Sequence, residues 1–217
     1  MDTLNIIQKA LPALLSGLWV TLEIAVIALF FAMVIGLAFG LLRISKNSLL
    51  RWIAEFYVNL IRGTPLLVQV LFIYFGLPGA FDFKLSAFAA GVIAISINAG
   101  AYLVEIFRAG IESIDRGQME AGRALGFTYA QTMNYVILPQ AVKRMIPAFV
   151  NQFIITIKDT SLLSVIGIAE LTMEGQTIYS SNFRAFEILG AIAVIYYILI
   201  YALTLISNRL ERRLAKS

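Results

Sequence analysis

The sequence predicts an all-α, polytopic bundle of five membrane-spanning helices, N-terminus outside and C-terminus inside, carrying a cytoplasmic helix pair. Three observations predict it. Of 217 residues, 60% are hydrophobic and 14% charged, with a mean hydropathy of +0.85, which is more apolar surface than one soluble core of this size can bury. Residues 24–42 and 188–206 are each nineteen long and free of charge, close to the ~20 needed to cross ~30 Å of hydrocarbon. With Arg62 set aside because its depth is open, twelve Lys/Arg (43, 46, 51, 108, 116, 123, 143, 144, 209, 212, 213 and 216) fall on one proposed side and four (9, 84, 158 and 184) on the other. Positive charge collects in cytoplasmic loops, which sets the orientation. The whole chain, 1–217, reads as one transmembrane domain.

Composition also excludes functions. There is no Cys and no His, so disulfides, thiolate nucleophiles, zinc thiolate sites and the commonest general base are absent, and the chain is not expected to be an enzyme. The net charge of +4 belongs to cytoplasmic loops rather than to a nucleic-acid surface. No Lys follows a Gly, so the chain has no phosphate-binding loop of the Gly-Lys kind and no cofactor of its own is expected.

In chain order, residues 1–17 hold few charges and precede the first span, 24–42, which is too long for a signal peptide. Gly36 and Gly40 within it are spaced to admit a neighbouring helix. Arg43, Lys46 and Arg51 follow in the cytoplasm. Residues 49–63 read as a helix entering through the interface, broken at Gly63-Thr64-Pro65, where Thr can cap and Pro favours a new first turn. The restarted part of span two covers 66–77, and 78–84 form a short outer loop. Span three, 85–107, carries Asn98, Tyr102 and Glu105 at i, i+4 and i+7 on one face. An ionisable group here faces a bundle interior or a water cavity. Two readings stay open, since Glu105 can instead pair with Arg108 and Asn98 can serve as interhelical glue.

Residues 120–139, EAGRALGFTYAQTMNYVILP, read as two short helices. The first covers 120–125 and ends at Gly126, a position for a left-handed cap. Thr128 and Gln131 fit a capping box, and Pro139 disfavours helical geometry at Leu138, so the second helix is expected to end there. Span four starts near Gln140, with a kink expected at Pro147. From Met145 only thirteen uncharged residues pass before Lys158-Asp159-Thr160-Ser161, about 20 Å of helix, which places this quartet at membrane depth. Irregular polar backbone there implies a water-filled space, the alternative being a Lys158–Asp159 pair at the outer interface. Residues 170–187 read as an outer segment before the last span, 188–206.

The motif Glu120-Ala121-Gly122, then Gly126, then Val136-Ile137-Leu138-Pro139 resembles the cytoplasmic EAA loop of permease subunits in bacterial ABC importers of the type I fold, with Gly122 in place of the second Ala and Val136 in place of Ile. Arg62-Gly-Thr-Pro-Leu-Leu-Val-Gln69 and Ile157-Lys-Asp-Thr-Ser-Leu162 are similar to signatures of the polar amino-acid subfamily. Asn182-Phe-Arg-Ala-Phe-Glu187 with Arg209-Leu-Glu-Arg-Arg213 looks most like glutamine permeases. The resemblance covers essentially the whole chain and implies a multi-pass protein of the bacterial inner membrane. It implies a dimer with a second copy or paralogue, two separate ATPase subunits that bind ATP and Mg, and an extracytoplasmic amino-acid-binding protein. Glu120, Ala121, Gly122, Arg123 and Gly126 would then couple to the ATPase. Asn98, Tyr102, Glu105, Lys158, Asp159, Thr160 and Ser161 are the expected substrate-site residues, for glutamine first and arginine or glutamate as alternatives. The competing class is an ion-coupled secondary transporter or channel that uses Glu105 and Asp159 without an ATPase.

Overall fold

The computed structural model describes residues 3–214, and the elements among them are helices joined by short connections, with no strand. Lys216 and the side chains of Arg212 and Arg213, counted above on the inner side, lie outside the described residues. Helix α1 runs Thr3–Arg43. Its 41 residues make about 60 Å at 1.5 Å each, twice the hydrocarbon thickness. The segment expected to precede the first span is thus the first half of the same helix. Hydropathy marks where lipid begins, and nothing at 18–23 obliges the helix to stop there. That first half buries Ile6, Ala10 and Leu14 against Leu171, Ile188 and Ile192.

The rest of α1 presents Gly17, Thr21, Ala25, Ala28, Ala32, Gly36 and Gly40 as a buried row of small residues. Most of this row packs on α4, Ala87–Glu112. Small side chains let the two backbones close up, which is how apolar helices gain packing where lipid offers no hydrophobic drive. A Cβ on Gly36 would fall 2.6 Å from Leu103 Cβ, and one on Gly40 would fall 3.3 Å from Phe107 Cβ. The Gly pair is therefore a contact, and span three extends five residues beyond its expected end.

Helix α2 (Ser48–Arg62) and helix α3 (Leu66–Phe81) meet at 101°. The break is the one expected, but Thr64 works backward: its hydroxyl donates to Leu60 O at 3.0 Å, while Pro65 begins the new helix without a side-chain cap. The outer loop is shorter than 78–84 because α3 continues to Phe81.

Helix α5 (Arg116–Ala124) is the first half of the elbow, begun by Asp115 accepting from Gly117 N at 2.7 Å. Helix α6 then runs Tyr129–Ile166 without interruption. The expected end at Pro139 is corrected here. A π turn over Met133–Ile137 lets Leu138 N–H reach Met133 O, and Gln140 Nε2 donates to Val136 O at 2.8 Å. The widened turn absorbs the proline that would otherwise clash and strand a carbonyl. Phe72–Gly76 in α3 does the same before Leu77-Pro78. Helix α6 tightens to 3-10 geometry at Thr160–Ile166 and stops at Gly167, φ 80°. The segment expected on the outer side is largely a helix: α7 (Leu171–Asn182) packs on α1, and α8 (Ala185–Leu214) closes the bundle.

Candidate functional site

The break between α2 and α3 interrupts the helical hydrogen-bond ladder, and Gln69 bonds across it. Its Nε2 donates to Ile61 O at 2.8 Å, Thr64 O at 3.1 Å and Thr64 Oγ1 at 2.8 Å. Asn98 Nδ2 on α4 donates to Gln69 Oε1 at 3.0 Å, so α4 fixes the amide that holds the broken backbone in place. Against this backbone lies a cleft of about 540 Å³ lined by Arg62, Gly63-Thr64-Pro65, Asn98, Tyr102, Gln152 and Asp159. A cation from α2, a carboxylate from the far end of α6 and three neutral polar groups thus share one space. The Arg62 guanidinium stands 5.1 Å above the Tyr102 ring, an arrangement that steadies a cation over an aromatic face.

The expected substrate residues divide. Asn98, Tyr102 and Asp159 line this cleft. Glu105 lines an adjoining one of about 460 Å³ and is held by Arg108 Nη2 at 2.8 Å, with Arg43 and Arg62 each at 3.9 Å; Arg43 also pairs with Glu55. Glu105 is therefore the hub of a three-arginine cluster toward the C-terminal end of α4. Lys158 is exposed and lines neither cleft, and no ion pair within 4 Å joins it to Asp159 among the described residues. Thr160 is fully buried, donating to Ile157 O at 2.7 Å. Ser161 Oγ donates to Lys158 O at 2.7 Å. Both hydroxyls are spent on the α-to-3-10 transition, because short side chains just past a helix end reach the nearest free carbonyls first.

Sequence reasoning missed Gln152 and left Arg62 unplaced. Gln152 lies seven residues before Asp159, hence on the same helix face, and that spacing was the available signal. Arg62 had none, since its position depends on the 101° bend. It also missed Glu170, which is completely buried. Glu170 caps α7 through Thr172 N (2.9 Å) and Met173 N (2.8 Å) and accepts from Tyr196 OH at 3.3 Å.

In the elbow, both halves of the capping box form: Gln131 N donates to Thr128 Oγ1 and Thr128 N to Gln131 Oε1. Gly126 has φ 88°, a conformation in which a Cβ is strained. Gly122 is buried against Thr132, whose side chain a Cβ there would overlap. Glu120, Ala121 and Arg123 are exposed, and so are Leu125, Phe127, Tyr129 and Tyr135.

Residues 32–216 match the model of the family described as binding-protein-dependent transport system inner membrane component. The chain belongs to this family. It is a multi-pass permease subunit of an ABC importer, placed in the inner membrane. It is 49% identical to the glutamine transport system permease protein GlnP of Escherichia coli K12, over 96% of this chain and 95% of that one. It is 39% identical to the arginine transport system permease protein ArtQ of Bacillus subtilis 168, over 94% and 93%. Among solved structures, an amino acid ABC transporter crystallised with histidines superposes with a TM-score of 0.94 at 41% identity, covering 98% of this permease and 99% of that chain. An inward-facing MetNI methionine ABC transporter shares the fold, with a TM-score of 0.78 at 23% identity over 93% and 96%.

Proposed function

We propose that this permease imports a polar amino acid, glutamine foremost, and that the cleft between Arg62 and Asp159 receives it. The observation that carries the reading is the pairing of opposite charges across a cleft with Asn98, Tyr102 and Gln152. A free amino acid brings a carboxylate for Arg62, an ammonium for Asp159 and a polar side chain for the amides, and a guanidinium binds carboxylates with two parallel hydrogen bonds. The 49% identity to a glutamine permease favours glutamine, with arginine or glutamate as the alternatives.

Energy comes from two partner ATPase subunits, which hold ATP and Mg and dock on the elbow at 120–139. Its exposed Leu125, Phe127, Tyr129 and Tyr135 beside Glu120 and Arg123 suit a protein interface with an apolar centre and a charged rim. A second permease copy or paralogue completes the transmembrane unit, and an external binding protein delivers the substrate to the outer side, where the N-terminus lies. Closure of the ATPase pair would draw the elbows together and switch the bundle between inward-facing and outward-facing states.

Uptake of labelled glutamine into proteoliposomes holding the assembled complex tests this. Asp159→Asn removes the charge that meets the ammonium and is expected to lower uptake at least about tenfold, the loss of one charge-assisted contact. Unchanged uptake removes Asp159 from the site. Uptake driven by an ion gradient with no ATPase present overturns the importer reading in favour of a secondary transporter.

A further inference from the structure

We infer that the seam between α4 and α6 is the substrate's exit from the cleft, and that Arg144 is the clasp closing its inner mouth. The inference rests on the importer reading above. The two clefts adjoin, with Arg62, Tyr102 and Gln152 lining both. Asp159 and Asn98 line the first cleft; the second follows the seam beyond the three shared residues, with Ile106, Ala109 and Gly110 of α4 on one side and Met145 and Ala148 of α6 on the other, down to Ser113 and Arg144. At that end Arg144 Nη1 donates to the Ser113 carbonyl at 2.5 Å and lies 3.4 Å from its hydroxyl. Ser113 is the C-terminal cap of α4. Arg144 therefore ties α6 to the C-terminus of α4 across the mouth of the seam.

The clasp lies where the elbow's motion must pass. Because α6 runs unbroken from Tyr129 to Ile166, the second half of the elbow and Asp159 lie on one helix. Pro147, inside that helix, provides no N–H for the carbonyl of Lys143, so the helix is softened next to Arg144. A pull on the elbow turns 129–146 about this point and strains the Arg144–Ser113 bond before it reaches Asp159. Above the clasp, Gly110 faces Met145 so closely that a Cβ would overlap its side chain. Methionine is flexible enough to yield when the helices part. A substrate carboxylate leaving Arg62 meets a second guanidinium, Arg144, at the cytoplasmic end, so its charge is matched at both ends of the path.

The absence of Cys from the chain gives a direct test. Single Ala109→Cys and Ala148→Cys variants, on opposite walls of the seam, are assembled with the ATPase subunits in inside-out vesicles. They are labelled with a membrane-impermeant anionic methanethiosulfonate, with and without vanadate trapping. Val142→Cys, exposed on α6 but off the seam, serves as the comparison site. Both seam cysteines are expected to react in one nucleotide state and to be protected about tenfold in the other, with Val142→Cys indifferent. Adding Arg144→Gln is expected to raise labelling in the protected state about tenfold, the worth of one hydrogen bond from a charged donor, and Arg144→Lys to restore part of the protection. Seam cysteines that never react, or react alike in both states, in a complex that still takes up glutamine overturn the exit route and leave the importer reading standing. Nucleotide-gated labelling that Arg144→Gln does not change overturns the clasp. Failure of the Cys-free parent to take up any amino acid with ATP overturns the reading on which both rest.

Discussion

Replacing Gln69 by Leu probes how a broken helix survives inside a membrane. The side chain meets three acceptors and one donor: Ile61 O, Thr64 O, Thr64 Oγ1 and the Asn98 amide. Ile61 O keeps a second partner in Gly63 N–H, and the Thr64 hydroxyl still donates to Leu60 O. The groups left without a partner are Thr64 O and Asn98 Nδ2. Each unsatisfied buried group costs about 1–3 kcal/mol. Thr64 is exposed and both it and Asn98 line the cleft, so both can be rewetted and the expected loss is about 1 kcal/mol in total. Denaturation by SDS in mixed micelles, read by tryptophan fluorescence, measures it. The decisive quantity is the coupling between Gln69→Leu and Asn98→Leu in a double-mutant cycle, expected near 0.6 and up to about 1.7 kcal/mol, the range of interhelical hydrogen bonds in membranes. Additive effects, with a coupling under about 0.3 kcal/mol, would refute the claim that α4 holds the break through this amide pair.

The other expectations are briefer. Gly126→Pro cannot adopt the observed φ of 88°, so ATP-dependent uptake should vanish in proteoliposomes while the permease still inserts; Glu120→Lys, on the exposed face, should act alike, and retained uptake in both would detach the elbow from the ATPase. Thr128→Ala removes one arm of the capping box and should cost about 1 kcal/mol, visible as faster amide exchange over 129–132. Glu170→Ala deprives Thr172 N, Met173 N and Tyr196 OH of their acceptor, a loss of about 2 kcal/mol. Glu170→Gln keeps one acceptor oxygen and should lose about half as much in the same SDS assay.

By itself the sequence determined what depends on neighbours along the chain. Apolar runs against lipid set the membrane class, Gly63-Thr64-Pro65 marked the break in span two, and the Thr128–Gln131 box with Gly126 marked the elbow. Each is a local steric or hydrogen-bonding requirement within a few residues, so it is legible without a fold. What only the tertiary structure decided depends on where distant groups find partners. Pro139 reads as a stop in one dimension, yet a π turn carries α6 through it, and this joins the elbow and Asp159 on one helix. Thr160 and Ser161 read as ligands, but the carbonyls of Ile157 and Lys158 claim their hydroxyls. Arg62 had no readable depth until the 101° bend set it over Tyr102. The cleft is assembled from α2, α4 and α6, and spacing within any one helix does not specify how three helices face one another.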